Sequence, residues 1–408
     1  MLIIPENGKV VLNSTALDGA KTVFITGDLI PRGPSEERLC AGNLKSVFGD
    51  VLEDMLSCDA GITNLECAVT HGGEAIFKCG PNLRTSPEVI PALVDAGFDI
   101  FALANNHSKD WGSEAFIETM NCITDSGAKY VGGGKNLDEA SSTLHFDLKG
   151  LRLAIINASM RQACDSTKNT PGSNPLNPPA IAAAAAKAKT ECDFVMVIIH
   201  DGKEHCPFPS PRVRENYRAF IDAGADAVIA HHPHLAQAAE EYHNGFIAYS
   251  LGNFHFFPRT ENPPPYWKKS FSLKLHLNKH KVAAVEFIPH KLNDDFCLEK
   301  LCGEEKEKFW KRINRLNEIL ADDEKSDLYF RAFAMTCKNY MRFITLAIRN
   351  LEAGDYESPD LKQNMFYFNH YLETMEHYDV ILEQTLVYSQ GKMLEVPDDL
   401  SYFLEAGN

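Results

Sequence analysis

Residues Asp226–His234 read DAVIAHHPH. The apolar run Ala227–Ala230 has the length and composition of a buried strand, and it ends in His231, His232 and His234. Packing explains so dense a group of imidazoles poorly, whereas metal binding explains it well. Working outward, the same arrangement recurs. Lys21–Gly27 (KTVFITG) runs into Asp28, Ala60–Leu65 into Glu66, and Phe98–Ala104 into Asn105, Asn106 and His107, while Asp193–His200 ends in His200 and Asp201. Leu151–Ala158 and Gly245–Leu251 read as further strands rich in Ile, Ala and Leu. Ligands of an open α/β sheet gather at the carboxyl ends of its strands, so residues far apart in the chain are expected to meet in one pocket. Taken singly each is ordinary: a Gly-Asp pair after a strand is usually a turn. Together, carboxylate, amide oxygen and imidazole suit a borderline divalent ion such as Mn, Fe or Zn.

The surrounding chain fits a layered α/β domain. Helical patterns at Ser86–Ala96, Ser113–Ser126 and Pro211–Ala223 alternate with the strands, with Ser86 and Ser113 expected as N-caps. Ser270–Leu277 and Lys281–Pro289 alternate apolar and polar residues about a turn at Asn278–His280, the pattern of a hairpin with one wet face. Ala180–Lys189 is a spacer helix. Beyond Leu292 the character changes: Gly303–Leu320, Lys325–Leu351 and Asp360–Gln390 are long, charged and helical in period. The expected division is therefore a domain over residues 1–292 and a helical appendage over 293–408. Two proline-rich loops, Thr170–Pro179 and Pro258–Pro265, are placed to rim a site or to serve as rigid connections.

Composition excludes several classes. The 408 residues carry 40 basic and 56 acidic side chains, a net charge of −16, with no dense basic run. Such a surface repels nucleic acid. At 44% hydrophobic and 24% charged, the chain is an ordinary globular one. No stretch is long and apolar enough to span a bilayer, and the first twenty residues lack the pattern of a secretory signal. Eleven cysteines without a C-x-x-C pair read as reduced thiols, and the expected location is the cytoplasm. Cys67 and Cys206 lie beside ligand-type residues in sequence, but burial as small apolar groups is the simpler account.

Phe24–Asp28 (FITGD), Thr63–Glu66 (TNLE), Ala102–Gly112 (ALANNHSKDWG), His200–Glu204 (HDGKE), Ile221–His234 and Ala248–Phe254 (AYSLGNF) resemble the successive motifs of the CapA family of capsule, or poly-γ-glutamate, synthesis proteins. The resemblance covers roughly Thr22 to Pro289. It implies a fold like that of the calcineurin-type metallophosphoesterases, a four-layer αββα sandwich with two divalent ions at the strand ends. Carried over by position, Asp28, Asn106, His200, His232 and His234 are implied metal ligands, and Glu66 an implied bridging carboxylate. His107 is the implied histidine contacting substrate or leaving group, oriented by Asp110. His231 and Glu204 fall beside the site. Arg214 belongs to a matching segment and is the preferred anion-binding arginine, ahead of Arg32 and Arg212. Three positions depart from the pattern: Ile30 stands where phosphoesterases carry a histidine, Asp201 replaces a tryptophan, and Ala230 replaces a glycine.

The implied activity is metal-dependent hydrolysis of phosphoester type, in which two ions activate water and clamp the phosphoryl oxygens while His107 protonates the leaving group. The implied substrate is a small molecule or an anionic polymer. Two rival readings stand beside it: a non-catalytic accessory of polymer binding or export, disfavoured by the charge of −16, and a metal-dependent amidase acting on γ-glutamyl bonds. Fold and family leave the substrate and the oligomeric state open.

Overall fold

The computed structural model describes residues 1–256, 263, 266–354, 356–390 and 396–404. Two sheets form its centre. The larger follows the order Lys9–Val11, Lys281–Leu292, Lys269–Asn278, Lys21–Leu29, Ala60–Leu65, Ile100–Ala102, Lys129–Val131. The short strand Asn253–His255 pairs with the end of Lys21–Leu29, and Leu298–Lys300 pairs with Lys281–Leu292, so this sheet continues past Leu292. The second sheet runs Ala239–Tyr242, Gly245–Ala248, Ala227–His231, Phe194–His200, Leu151–Ser159, Leu144–Leu148. In both sheets the inner strands that carry the ligand-type residues are parallel, so their carboxyl ends lie along one edge.

Alternation along each strand builds the layers. In Lys21–Leu29, Val23 and Ile25 face the second sheet and join one core with Ile155, Val197 and Val228, whereas Phe24 joins a separate core with Leu39, Phe48 and Ile90. The helices Pro34–Cys40, Val89–Asp95 and Gly112–Asp125 cover that outer face through Leu39, Leu93 and Phe116. Pro178–Glu191 and Pro211–Asp222 cover the far side of the second sheet through Ile181, Val213 and Phe220. The order is helix, sheet, sheet, helix, the sandwich expected from the sequence. Each enclosed Val, Ile or Phe contributes about 1.5–3 kcal/mol relative to exposure.

Local differences from expectation have physical causes. Ser210 caps its helix by accepting from the Val213 amide at 3.3 Å, but Ser86 and Ser113 are not caps. The helices there begin at Val89 and Gly112, and the Ser86 carbonyl instead accepts from the Val89 amide. The hairpin face expected to be wet is half-buried, because Glu286 is covered by Lys9 and His276 and Lys274 reaches Ser57. Thr170–Pro179 is partly regular: Gly172–Ser173 pairs with Gly133–Gly134, and Asn177 caps the following helix. Residues 257–262 and 264–265, most of the second proline-rich loop, lie outside the described residues.

The C-terminal region is helical. Gly303–Leu320 matches its expected span and packs Phe309, Trp310 and Ile313 into the core shared with the sheets. The two longer patterns are each divided, into Asp323–Thr336 and Asn339–Glu352, and into Pro359–Glu373 and Met375–Ser389. The breaks fall at Cys337 (ψ 66°) and at Thr374, which is extended. No described helix is long and apolar enough to cross a membrane.

Candidate metal centre and its comparisons

The strand ends bring Asp28, Glu66, Asn106, His107, Asp110, His200, His231, His232 and His234 into one buried region, none more than 6% exposed. Backbone geometry aims them. The pairing of Lys21–Leu29 with Ala60–Leu65 shifts register between Ile25 and Asp28, an irregularity that re-aims the aspartate. Gly27 is required there, since a Cβ would sit 1.9 Å from the Gly252 carbonyl oxygen. His232 and His234 both adopt positive φ, 100° and 57°. Such conformations cost on the order of 1–3 kcal/mol each and persist where packing over-determines them.

Two ligand groups share Glu66. Asp28, Glu66 and His234 form one, and Glu66, His200 and His232 the other, with donor atoms in each group within 4.8 Å of one another. In the first, His234 Nδ1 lies 3.2 Å from Asp28 and Nε2 3.7 Å from Glu66. In the second, His200 Nε2 lies 2.9 Å from Asn106 Oδ1, 3.1 Å from His232 Nδ1 and 3.5 Å from Glu66. Asn64 ties the groups together by donating to Asp28 at 2.8 Å while lying 3.3 Å from His200 Nδ1.

Electrostatics fits these residues to a cation. Both oxygens of buried Glu66 lack a hydrogen-bond partner, as does His232 Nε2. A buried carboxylate left unpaired is costly. Burial and then the charge of Asp28 push Glu66 well above the usual carboxylate range. Burial acts on Asp28 in the same direction, but the hydrogen bond and charge of His234 outweigh it and hold that carboxyl well below its ordinary value. Burial opposes charge on His234, yet Glu66 and Asp28 raise it to about 10. Burial and the neighbouring His232 keep His200 well below the usual imidazole value. A divalent ion would balance these buried carboxylate charges, and its binding would displace any proton held there.

His107 sits at the edge of this centre. Its Nδ1 is 2.6 Å from Asp110 Oδ2 and 3.1 Å from Lys78 Nζ. Lys78 also pairs with Asp110 and donates to the Asn106 carbonyl at 2.7 Å. Burial first, and then Lys78, bring His107 down to about 4 despite Asp110. Lys78 begins a cavity of about 530 Å³, whose walls include Phe77, Arg161, Asp165, Phe366 and Glu373. Phe77 and Phe366 meet at its rim with ring centroids 4.7 Å apart.

Other sequence-derived candidates go elsewhere. Arg214 does not reach the ligand groups; it is buried and pairs with Asp327 at 2.8 Å and Asp323 at 3.3 Å on a C-terminal helix. Asp201 supplies no ligand, because both its oxygens are held by Arg212 at 2.7 and 2.9 Å. Ile30 packs in the outer core. His231 Nε2 contacts the Thr26 carbonyl at 2.9 Å, tying the two sheets together beside Asp28. Cys67 and Cys206 are core residues. Arg32 makes no ion pair among the described residues, and its Nη1 is buried without a partner.

Glu204 joins His232 and a residue absent from the sequence reading, Glu376, in a third group of possible ligands. Lys78 and Asn253, whose Oδ1 is 2.9 Å from His234 Nδ1, were also missed. Asn253 lies in the AYSLGNF motif and had a signal. Lys78 and Glu376 had none, since neither stands at a strand end.

The family model described as bacterial capsule synthesis protein PGA_cap matches residues 22–257, from the strand that carries Asp28 to just past Asn253–His255. The chain belongs to this family. Its relatives include the capsule biosynthesis protein CapA of Bacillus anthracis, 33% identical over 217 residues, or 51% of each chain. The PGA biosynthesis protein CapA of Bacillus subtilis is 31% identical over 214 residues, 51% of this chain and 54% of that one. The chain spans about half the length of the curated relatives it matches. Among solved structures, a hypothetical protein from Thermus thermophilus aligns over 66% of this chain and 99% of its own, at 16% identity and TM-score 0.42. A 5′-nucleotidase from Candida albicans aligns over 78% of this chain and 56% of its own, at 13% identity and TM-score 0.41. The family match ends at residue 257, so Glu376 and the C-terminal helices lie beyond it.

Proposed function

We propose that this family member is a metal-dependent hydrolase of phosphoester type, serving the metabolism of a capsule or other anionic envelope polymer. The observation that carries the proposal is Glu66, buried with neither oxygen hydrogen-bonded and shared by two ligand groups. Asp28 and His234 would hold one divalent ion, and Asn106, His200 and His232 the second, with Glu66 between them. Bound there, the ions would supply an activated water and a Lewis-acid clamp on the phosphoryl oxygens. Mn, Fe and Zn all suit the donor set.

The protein's own groups do the rest. Asp110 and Lys78 occupy His107 Nδ1, leaving Nε2 to exchange a proton with a leaving group. Burial and Lys78 hold His107 down to about 4, and negative charge arriving with a substrate would raise its proton affinity and favour its use as a general acid. The cavity beside Lys78 offers room for the part of the substrate beyond the reacting centre, with Arg161 among its walls. Arg214 is held by Asp323 and Asp327, whereas Arg32 makes no ion pair among the described residues and is the better placed of the two to meet an anion.

Elemental analysis of protein purified without chelator, beside His232→Ala, tests the reading. About two equivalents of metal in the wild type, lost in the variant together with hydrolysis of an aryl phosphodiester, is the expected result. A His232→Ala variant that hydrolyses at the wild-type rate overturns it. The relatives named for PGA biosynthesis make a γ-glutamyl anilide the second substrate for the same assay. Turnover of the anilide alone would move the reaction to an amide bond at the same centre.

A further inference from the structure

The two ring nitrogens of His232 face different partners. Nδ1 points to the ligand group, 3.1 Å from His200 Nε2. Nε2 points away from it, buried and without a hydrogen bond, and 3.6 Å from Glu376 Oε2. Glu376 is the second residue of the helix Met375–Ser389, 119 positions past the end of the family match at residue 257. It is 3% exposed. The same Oε2 accepts from Lys203 Nζ at 2.9 Å and from the Glu204 amide at 3.0 Å, so the carboxylate is fixed from the strand-end loop as well as from its own helix.

Glu204, His232 and Glu376 lie close enough together to form a cation site of their own. Lys203 argues against a third ion there, because its ammonium already supplies positive charge 2.9 Å from Glu376. A carboxylate behind a metal-binding histidine has a different use: it accepts the outer N–H, selects the tautomer, fixes the ring and strengthens the inner nitrogen as a donor. Resting on the metal-dependent reading above, we infer that Glu376 is a positioning residue that holds His232 with Nδ1 bare toward the second ligand group. The helix Met375–Ser389 therefore equips the centre, and its Glu376 carboxylate sets how tightly one ion is held. Glu376 also stands in the first turn of its helix, where the dipole favours a carboxylate.

Calorimetric titration of the metal-stripped full-length chain with Mn²⁺ tests the inference without recourse to activity. Wild type is expected to bind two ions. Glu376→Ala is expected to lose about 10–100-fold in affinity for one of them and to keep the other. Glu376→Gln, whose amide oxygen can still accept from Nε2–H, is expected to recover most of that loss. Asp379→Asn controls for docking: Asp379 sits on the same helix and bonds Ser210 and Arg212 but not His232, so its variant is expected to bind both ions normally. Unchanged binding in Glu376→Ala overturns the inference and leaves the hydrolase reading intact. Equal losses in Glu376→Ala and Asp379→Asn overturn it too, since docking alone would then set affinity. A wild type that binds no Mn²⁺ defeats the hydrolase reading itself, and the positioning role falls with it.

Discussion

Replacing Arg212 by alanine should loosen the C-terminal helices by an amount the structure allows to be worked out. The guanidinium donates through both Nη atoms to Asp201 at 2.7 and 2.9 Å, and through Nε to Asp379 at 3.0 and 3.1 Å. The Asp201 side chain is fully buried and that of Asp379 is 7% exposed. Breaking a buried ion pair from one side costs about 3–5 kcal/mol, because the remaining charge is left unpaired. Asp201 keeps the Gly202 amide at 2.8 Å and Asp379 keeps the Ser210 hydroxyl at 2.6 Å, which favours the lower end, about 3 kcal/mol. At 1.36 kcal/mol per factor of ten, opening of Met375–Ser389 should become about 150 times more frequent. Amide hydrogen exchange over that helix, in the regime where exchange reports the opening equilibrium, reads this number directly. Arg212→Lys should fall between, since one ammonium cannot serve two carboxylates in a planar fork. An increase below about tenfold would place the pair in the range of exposed surface bridges and refute the account.

Three more outcomes follow from the structure. Gly27→Ala should cost at least about 2–3 kcal/mol in urea unfolding, because the added Cβ would meet the Gly252 carbonyl at 1.9 Å and both partners are backbone. Burial pushes the Asp165 carboxyl up to about 7, so the folded chain binds that proton more tightly than the unfolded one. Its contribution is then fullest below about pH 4 and is lost as pH rises through about 7, and Asp165→Asn should raise Tm more at pH 8 than at pH 5. All eleven cysteines are free thiols, so adding reductant should leave Tm unchanged and denatured protein should titrate eleven thiols.

The strand-end ligands were legible because each requirement is local. A buried parallel strand has to be apolar, and a ligand has to follow where it ends, so KTVFITGD and DAVIAHHPH announce both facts in a few residues. Ser86 and Ser113 misled because a serine near a helical pattern is compatible with several starting points, and packing selected Val89 and Gly112. Asp201 was ambiguous for a different reason. A carboxylate beside His200 can turn inward or outward, and only the arrival of Arg212 from the next helix decides it. Arg214 was misplaced by the same kind of event, claimed by Asp327 from a helix over a hundred residues later. Glu376 was beyond reach altogether. Its surroundings, TMEHYDV, carry no spacing that speaks of metal, and its role depends on how a whole helix settles on the sandwich.

The order of strands in the larger sheet also bears on how the chain is made. Lys21–Leu29 lies between Ala60–Leu65, which follows soon after it, and Lys269–Asn278, whose first residue comes 240 positions after Leu29. At about 5–20 residues per second, roughly 12–50 s separate the appearance of this strand from that of its second neighbour. Throughout that interval one edge of the strand bearing Asp28 offers its amides and carbonyls to any other chain nearby. Completion of the sheet therefore depends on a slow, non-local closure that waits for the final hairpin to emerge.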